Sequence, residues 1–174
     1  MAAAWLEPLA QGLHKHAQRD ARLARYRLRP AEVSDEPMLY ALHRDALRDY
    51  VEATWGWEED WQRQYFRTHY RPTDNVVIRD RGNARGSDAE RDIGRISITR
   101  HWHKLFLRDI ELASSHRGQG LGTALLRTVL AMAAADGKRV ELHVLRCNPA
   151  QRLYTRLGFR VASGDDARWL MRSD

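Results

Sequence analysis

The sequence predicts an α/β protein, one mixed sheet with helices on both faces and elements in the order βααβββαβαββ. Three observations predict it. A glycine-rich turn over residues 117–123 stands between a strand-like run, Leu105 to Leu112, and a long helical pattern. A second strand-like run, Val140 to Val144, follows that helix, so the two strands flank a crossover and lie parallel. Ahead of them, two segments carry apolar residues at helical spacing and sit between short strand-like runs.

Taken in order, Tyr26-Arg27-Leu28-Arg29 alternates as a first strand and stops at Pro30, which fixes φ and lacks an N–H. Ser34 or Asp35 is placed to cap a helix over 36–49, in which Met38, Leu39, Leu42, Ala46 and Leu47 share a face. Gly56 breaks it, a second helix runs from Glu58 to Thr68, and Pro72 closes that one. A short strand over Asn75 to Ile78 leads into 79–92, a stretch rich in Gly, Asp, Asn and Arg that reads as an exposed, mobile connection. Strands from Ile93 to His101 and from Leu105 to Leu112 pair back on each other. The helix after the glycine turn puts Leu121, Ala124, Leu125, Thr128, Val129 and Met132 on one face and ends near Gly137, a C′ residue.

A length of 174 residues suits one domain with a substantial core. Its formal net charge is +6, but the basic residues are mostly Arg, spread from Arg19 to Arg172 among acids, with no nucleic-acid-binding motif. Cys147 is the single cysteine, which excludes an internal disulfide and a cysteine metal cluster and fits a cytoplasmic protein. No apolar run reaches membrane-spanning length. Residues 1–24 read as an amphipathic extension, with Leu6, Leu9, Leu13 and Ala17 on one side, that packs on the domain, extends a homodimer contact or frays; the main domain then covers 25–174.

The glycine turn is the most informative segment. Glycines at 118, 120 and 122 let successive backbone N–H groups converge, and the following helix adds its own unpaired N–H groups and positive dipole end. Such a turn holds a pyrophosphate. It is not a dinucleotide fingerprint, because the sixth place from Gly118 is Thr123, and it is not a triphosphate loop, because Gly122 is followed by Thr123 rather than Lys. What remains is Arg-x-x-Gly-x-Gly on Arg117, Gly120 and Gly122. About thirty residues on come Asn148-Pro149-Ala150, Leu153-Tyr154 and Leu157-Gly158-Phe159.

Together these blocks resemble the GCN5-related N-acetyltransferases, over residues 26–174. The resemblance implies the acyl-CoA N-acyltransferase fold, whose central parallel strands splay apart after a bulge, with acetyl-CoA as cosubstrate and no metal. The pantetheine arm would lie in the gap, on backbone at Leu112 and Ala113 and near Asn148. The pyrophosphate would fall on Arg117, Gly118, Gln119, Gly120, Leu121, Gly122 and Thr123.

A thioester is already activated, so the enzyme brings amine and carbonyl together, accepts a proton and eases thiolate departure. Tyr154 is the candidate acid, since a phenol with a reference pKa near 10 can protonate a thiolate whose conjugate acid lies near 8.5. Glu111 is the candidate base; its alternative role is an ion pair with Arg95, Arg100 or Arg108. His101, His103, His116 and His143 are other proton carriers, and ordered water is a further route. By the resemblance the segment between the first two helices lines the acceptor side, where Glu52 and Trp55 are candidate contacts for a small-molecule or peptide amine. Polyamine, aminoglycoside, peptide N-terminus and protein lysine all remain open. Cys147 has no histidine beside it in sequence, which favours direct attack in a ternary complex over a covalent relay. A non-catalytic acyl-CoA sensor or interaction module is the alternative.

Overall fold

The computed structural model describes residues 4–82 and 90–174. The elements are α1 (Leu6–Ala17), β1 (Tyr26–Pro30), α2 (Glu36–Trp55), α3 (Glu59–His69), β2 (Asn75–Asp80), β3 (Arg91–Arg100), β4 (Lys104–Leu112), α4 (Leu121–Ala135), β5 (Arg139–Leu145), α5 (Gln151–Arg156), β6 (Arg160–Gly164) and β7 (Arg168–Arg172). After α1 this is the predicted βααβββαβαββ order. The strands form one sheet, β1-β2-β3-β4-β5-β7-β6, antiparallel throughout except for the parallel pair β4 and β5. Strands β2 and β3 take up both ends of the expected 79–92 connection, and its middle, 83–89, lies outside the described residues.

Each face of the sheet has its own core. On one, α1, α4 and α5 bury Leu9, Leu13, Leu121, Leu125, Val129 and Tyr154 against Ile96, Ile98, Leu107 and Leu142. On the other, Leu39 and Tyr40 of α2 and Phe66 of α3 close over Val77. Helix α1 crosses α4 at Gly12, where a methyl group would come within 2.1 Å of Thr128 Cγ2. Only a residue without Cβ allows that approach.

Two helix ends show how side chains redirect local expectations. Asp35 stands at the N-cap position of α2, but its carboxylate takes hydrogen bonds from Arg29 and from the Glu32 N–H instead of capping the helix. The ion pair wins because it also ties β1 to the turn. Helix α2 runs six residues past the expected 49, to Trp55, and Gly56 with φ +83° then ends it. At the end of α4, the Lys138 N–H bonds Ala133 O and the Gly137 N–H bonds Ala134 O, the paired pattern expected around a C′ glycine.

The feature that positions the site is in the middle of the sheet. Ser97 of β3 faces Asp109 of β4, but the next residue, Ile98, faces Leu107, so Arg108 is an extra, bulged residue. Pairing of β4 with β5 covers only Lys104–Leu107 against Arg139–Leu142. A bulge bends and twists its strand, and past this one the two parallel strands part.

Leu9 is fully buried between α1 and the rest of the core. Leu9→Ala should lower unfolding free energy by roughly 2 to 5 kcal/mol. Chemical denaturation checks this, and a change of only a few tenths would show that α1 is not part of the cooperative unit.

Candidate active site

The glycine turn follows β4 and a single 3₁₀ turn, Ser114–His116. Gly118 and Gly120 take φ of +73° and +88°, a region that other residues rarely occupy. Among the described residues, no N–H from Gly118 to Thr123 has a hydrogen-bond acceptor, and the first turn of α4 carries no acid. Unpaired N–H groups at a glycine turn that opens a helix are the kind of donors that can hold an anion. Its outer side is tied down by side chains: Gln119 Nε2 donates to Ser115 O (2.7 Å), Tyr26 Oη donates to Gln119 Oε1 (3.4 Å), and His116 pairs with Asp80 (2.9 Å). Arg117, expected among the pyrophosphate contacts, is turned elsewhere. Its N–H bonds Ser114 O, and its guanidinium bonds Leu112 O (2.7 Å) and Asp45 of α2 (3.1 Å). A carbonyl and a carboxylate hold the cation, so the unpaired N–H donors of the turn begin at Gly118.

Backbone groups along a strand alternate sides. The Ala113 N–H donates to Ile93 O (2.7 Å), so Ala113 faces β3, whereas Leu112 and Ile110 face the gap that β5 has left. Of the two expected backbone positions, Leu112 therefore lines the gap and Ala113 does not; Ile110 joins it. Asn148 uses Oδ1 to accept from the Ala150 N–H (2.9 Å) and so shapes the start of α5.

The carboxylate of Glu111 is buried with both oxygens engaged. Arg95 Nε lies 2.7 Å from Oε2, Arg95 Nη2 lies 3.1 Å from Oε1, and His43 Nδ1 of α2 lies 2.7 Å from Oε1. Arg95 also reaches Asn75 Oδ1 (2.9 Å) and Asp109 Oδ2 (3.1 Å) and lies over the Phe66 ring. Burial alone would raise the Glu111 carboxyl, but Arg95 and His43 outweigh it and hold it down to about 2. A carboxylate so stabilised is a weak proton acceptor. The expected base is thus the Arg95 ion-pair partner that was its alternative. For His43, burial favours the neutral ring, but the Glu111 charge and hydrogen bond prevail and raise its pKa. His43, Asp109 and Glu111 offer ligand atoms within 4.8 Å of one another, yet the Arg95 guanidinium already sits among them as the cation.

Tyr154 of α5 is buried against Phe159, and no hydrogen bond to its phenol occurs among the described residues. Burial first, then the charges of Asp109 and Glu111, push its pKa up, so the hydroxyl keeps its proton. Those charges reach it through the parted strands. Leu142 is the last β5 residue paired with β4, which makes His143 the first beyond the fork. Its ring is exposed, meets Phe106 edge-on (5.3 Å), and has its pKa lowered by burial and then by Arg168. His101 and His103 are exposed on the turn at the far end of β4, and His116 is engaged by Asp80 and Ser115.

Glu52 and Trp55 project from the last turns of α2, both well exposed. Neighbouring Tyr50 and Thr54 meet Cys147, just past β5, at 3.5 Å, so this end of α2 lies beside the fork. Trp61, which could have been core, is instead 56% exposed and stacks on Tyr65. Sequence reasoning missed His43, Asp109 and Ile110. Only the β4 alternation carried a signal, by placing Asp109 on the same face as Glu111.

The sheet opens between its two parallel strands, as the resemblance to the acetyltransferases implied, and comparison with known proteins agrees on the family. The chain belongs to the Acetyltransferase (GNAT) family, whose profile matches residues 37–159. Similar solved structures include a PaiA N-acetyltransferase from Thermoplasma acidophilum in complex with coenzyme A (17% identity, TM-score 0.64, 86% of this chain and 98% of that one). Another is the ribosomal-protein-S18-alanine N-acetyltransferase of Escherichia coli (18%, 0.61, 85% and 92%). A third is Arabidopsis thaliana NAA60 in complex with a bisubstrate analogue (20%, 0.58, 85% and 98%). At these identities the likeness is one of fold. No helix among the described residues is long and apolar enough to cross a membrane.

The paired charges set a pH window for stability. Glu111, at 4.5 when free and about 2 here, contributes above 4.5 and loses its contribution as pH falls toward 2; His43, raised from 6.5, contributes below 6.5 and loses it as pH climbs through its folded value. The melting temperature should therefore be highest between these limits. In His43→Gln the alkaline decline should shrink, and an unchanged alkaline limb would remove His43 from the network.

Proposed function

We propose that the protein transfers the acetyl group of acetyl-CoA to a primary amine by direct attack in a ternary complex. One observation carries this reading: the acceptor-free N–H groups of Gly118 to Thr123 stand at the end of a β4 edge that β5 has left, and Tyr154, on the helix after β5, lies within reach of the Asp109 and Glu111 charges of β4. The loop would hold the pyrophosphate, and Ile110 together with the Leu112 N–H, whose carbonyl Arg117 already holds, would pair with the amides of the pantetheine arm as an added strand does. Two similar structures, of NAA60 and Naa50 from Arabidopsis thaliana, are complexes with bisubstrate analogues, which supports an acceptor amine meeting the acyl donor directly.

Bound acetyl-CoA supplies the activated acyl group. The amine nitrogen attacks the thioester carbonyl carbon, the C–S bond breaks, and the phenol of Tyr154 gives the departing sulfur its proton. With Glu111 held by Arg95 and His43, we assign removal of the amine proton to His143, whose imidazole is neutral at neutral pH and stands at the fork. Glu52 and Trp55 would border the entry of the acceptor.

The testing experiment is an amine-library screen that reads free CoA thiol. Tyr154→Phe should lower kcat by about 10²-fold or more, the scale of a lost general acid. The melting shift caused by acetyl-CoA should stay as in the wild type. Binding of acetyl-CoA with no thiol release on any amine would identify a sensor instead. For the base, kcat/KM should fall as pH drops through the depressed pKa of His143. His143→Gln should flatten that acid limb, and an intact limb would assign the proton to water.

A further inference from the structure

Asp109 is the one carboxylate of the buried cluster that remains open. It is the first ordinary strand residue past the Arg108 bulge, so it stands where β4 leaves β5. Two residues from Glu111, it points to the same face of the sheet, toward α2. Its side chain is 23% exposed, against 3% for Glu111 and 5% for Arg95. Arg95 Nη2 is divided between two acids, 3.1 Å from Glu111 Oε1 and 3.1 Å from Asp109 Oδ2. Nothing among the described residues donates a hydrogen bond to Asp109 Oδ1. The other carboxylate oxygen holds the ion pair with Arg95, so Oδ1 is left accessible at the fork, and the ligand group that suits a free carboxylate oxygen there is a cationic donor.

We propose that Asp109 is the acceptor-anchoring residue, taking a charge-assisted hydrogen bond from the substrate's ammonium group and so selecting amines that are protonated in solution. This rests on the acetyltransferase reading above and narrows its acceptor to alkylammonium compounds, including lysine side chains and amino termini. The surrounding charges agree. Glu111 is spent on Arg95 and His43, and His43 faces Glu111 rather than Asp109. An amine entering from the α2 side meets Asp109 at the fork. His143 takes one ammonium proton, which frees the lone pair for the thioester carbon, and the second nitrogen proton, lost as the amide forms, returns to the Tyr154 phenolate left when the phenol protonates the departing sulfur.

Asp109→Asn separates this from a structural role. With a simple alkylamine, KM should rise about tenfold or more, the loss of one charge-assisted hydrogen bond. Calorimetric binding of the same amine to the CoA-bound protein should weaken in parallel, and CoA binding should not change. With methoxyamine, a nucleophile uncharged at neutral pH, the variant should match the wild type. If Asn impairs folding, competition of both nucleophiles in one tube still decides, because the ratio of their kcat/KM values does not depend on the folded fraction. Equal losses on both nucleophiles would overturn the proposal, as would an alkylamine KM and binding that do not move. The calorimetric arm needs no turnover, so absence of catalysis would refute the acetyltransferase reading without deciding this one.

Discussion

The parting of β4 from β5 beyond Leu107 and Leu142 is the constraint on which the rest of the structure depends. Backbone N–H and C=O groups inside a sheet are obligatory hydrogen-bonding groups, and a central strand that loses its neighbour exposes a row of them. The Arg108 bulge places this loss in the middle of the sheet, where the glycine turn continues β4 and α5 follows β5. A ligand with an extended amide backbone satisfies such an edge as a strand would. Loop, gap and phenol come together because one strand pair is cut short.

Cutting it short leaves the outer half of β4 without support from β5, and the buried charges supply what the missing pairing does not. Arg95 of β3 grips both acids of β4 and Asn75 of β2, and His43 joins Glu111 to α2. Taking these groups out of water is expensive, and an apolar replacement of similar volume could be as stable. An apolar cluster, however, would not fix the direction of the strand, and it would remove the negative charge beside Tyr154. The same network sets strand geometry on one face and, after burial, adds to the upward shift of the Tyr154 phenol on the other.

Most of the fold was legible because its signals are local. The strand boundaries fell close to those read from alternation, Gly137 ended α4, and the apolar face of α4 was buried save for a half-buried Met132, whereas of the face read for α2 only Leu39 is fully buried. The loop was legible because its glycines have no other use at that spacing. The proton-carrying groups were harder. Nothing in the sequence says that His43, 68 residues from Glu111, lies 2.7 Å from it, and that contact changes Glu111 from a free base into a locked anion. Arg117 likewise read as part of the loop until the fold brought Asp45 and Leu112 O within its reach. Periodicity reveals which face a residue takes, whereas the partner on that face comes from tertiary packing.

The glycine loop illustrates a related division of labour. A pyrophosphate site works only if its N–H groups are unpaired before the ligand arrives, so the backbone that binds cannot also be held by backbone bonds. Rigidity must come from side chains. Gln119 reaches back to Ser115 O and is met by Tyr26, and His116 is gripped by Asp80, whose carboxylate also takes Arg25 and the Gly82 N–H. Tyr26, Asp80, Arg25 and Gly82 belong to β1, β2 and the turns beside them, at the far side of the sheet from the gap. Ordering the loop in advance lowers the entropy cost of capture. It also means that Tyr26 and Asp80, which touch no phosphate, govern how well the loop is formed.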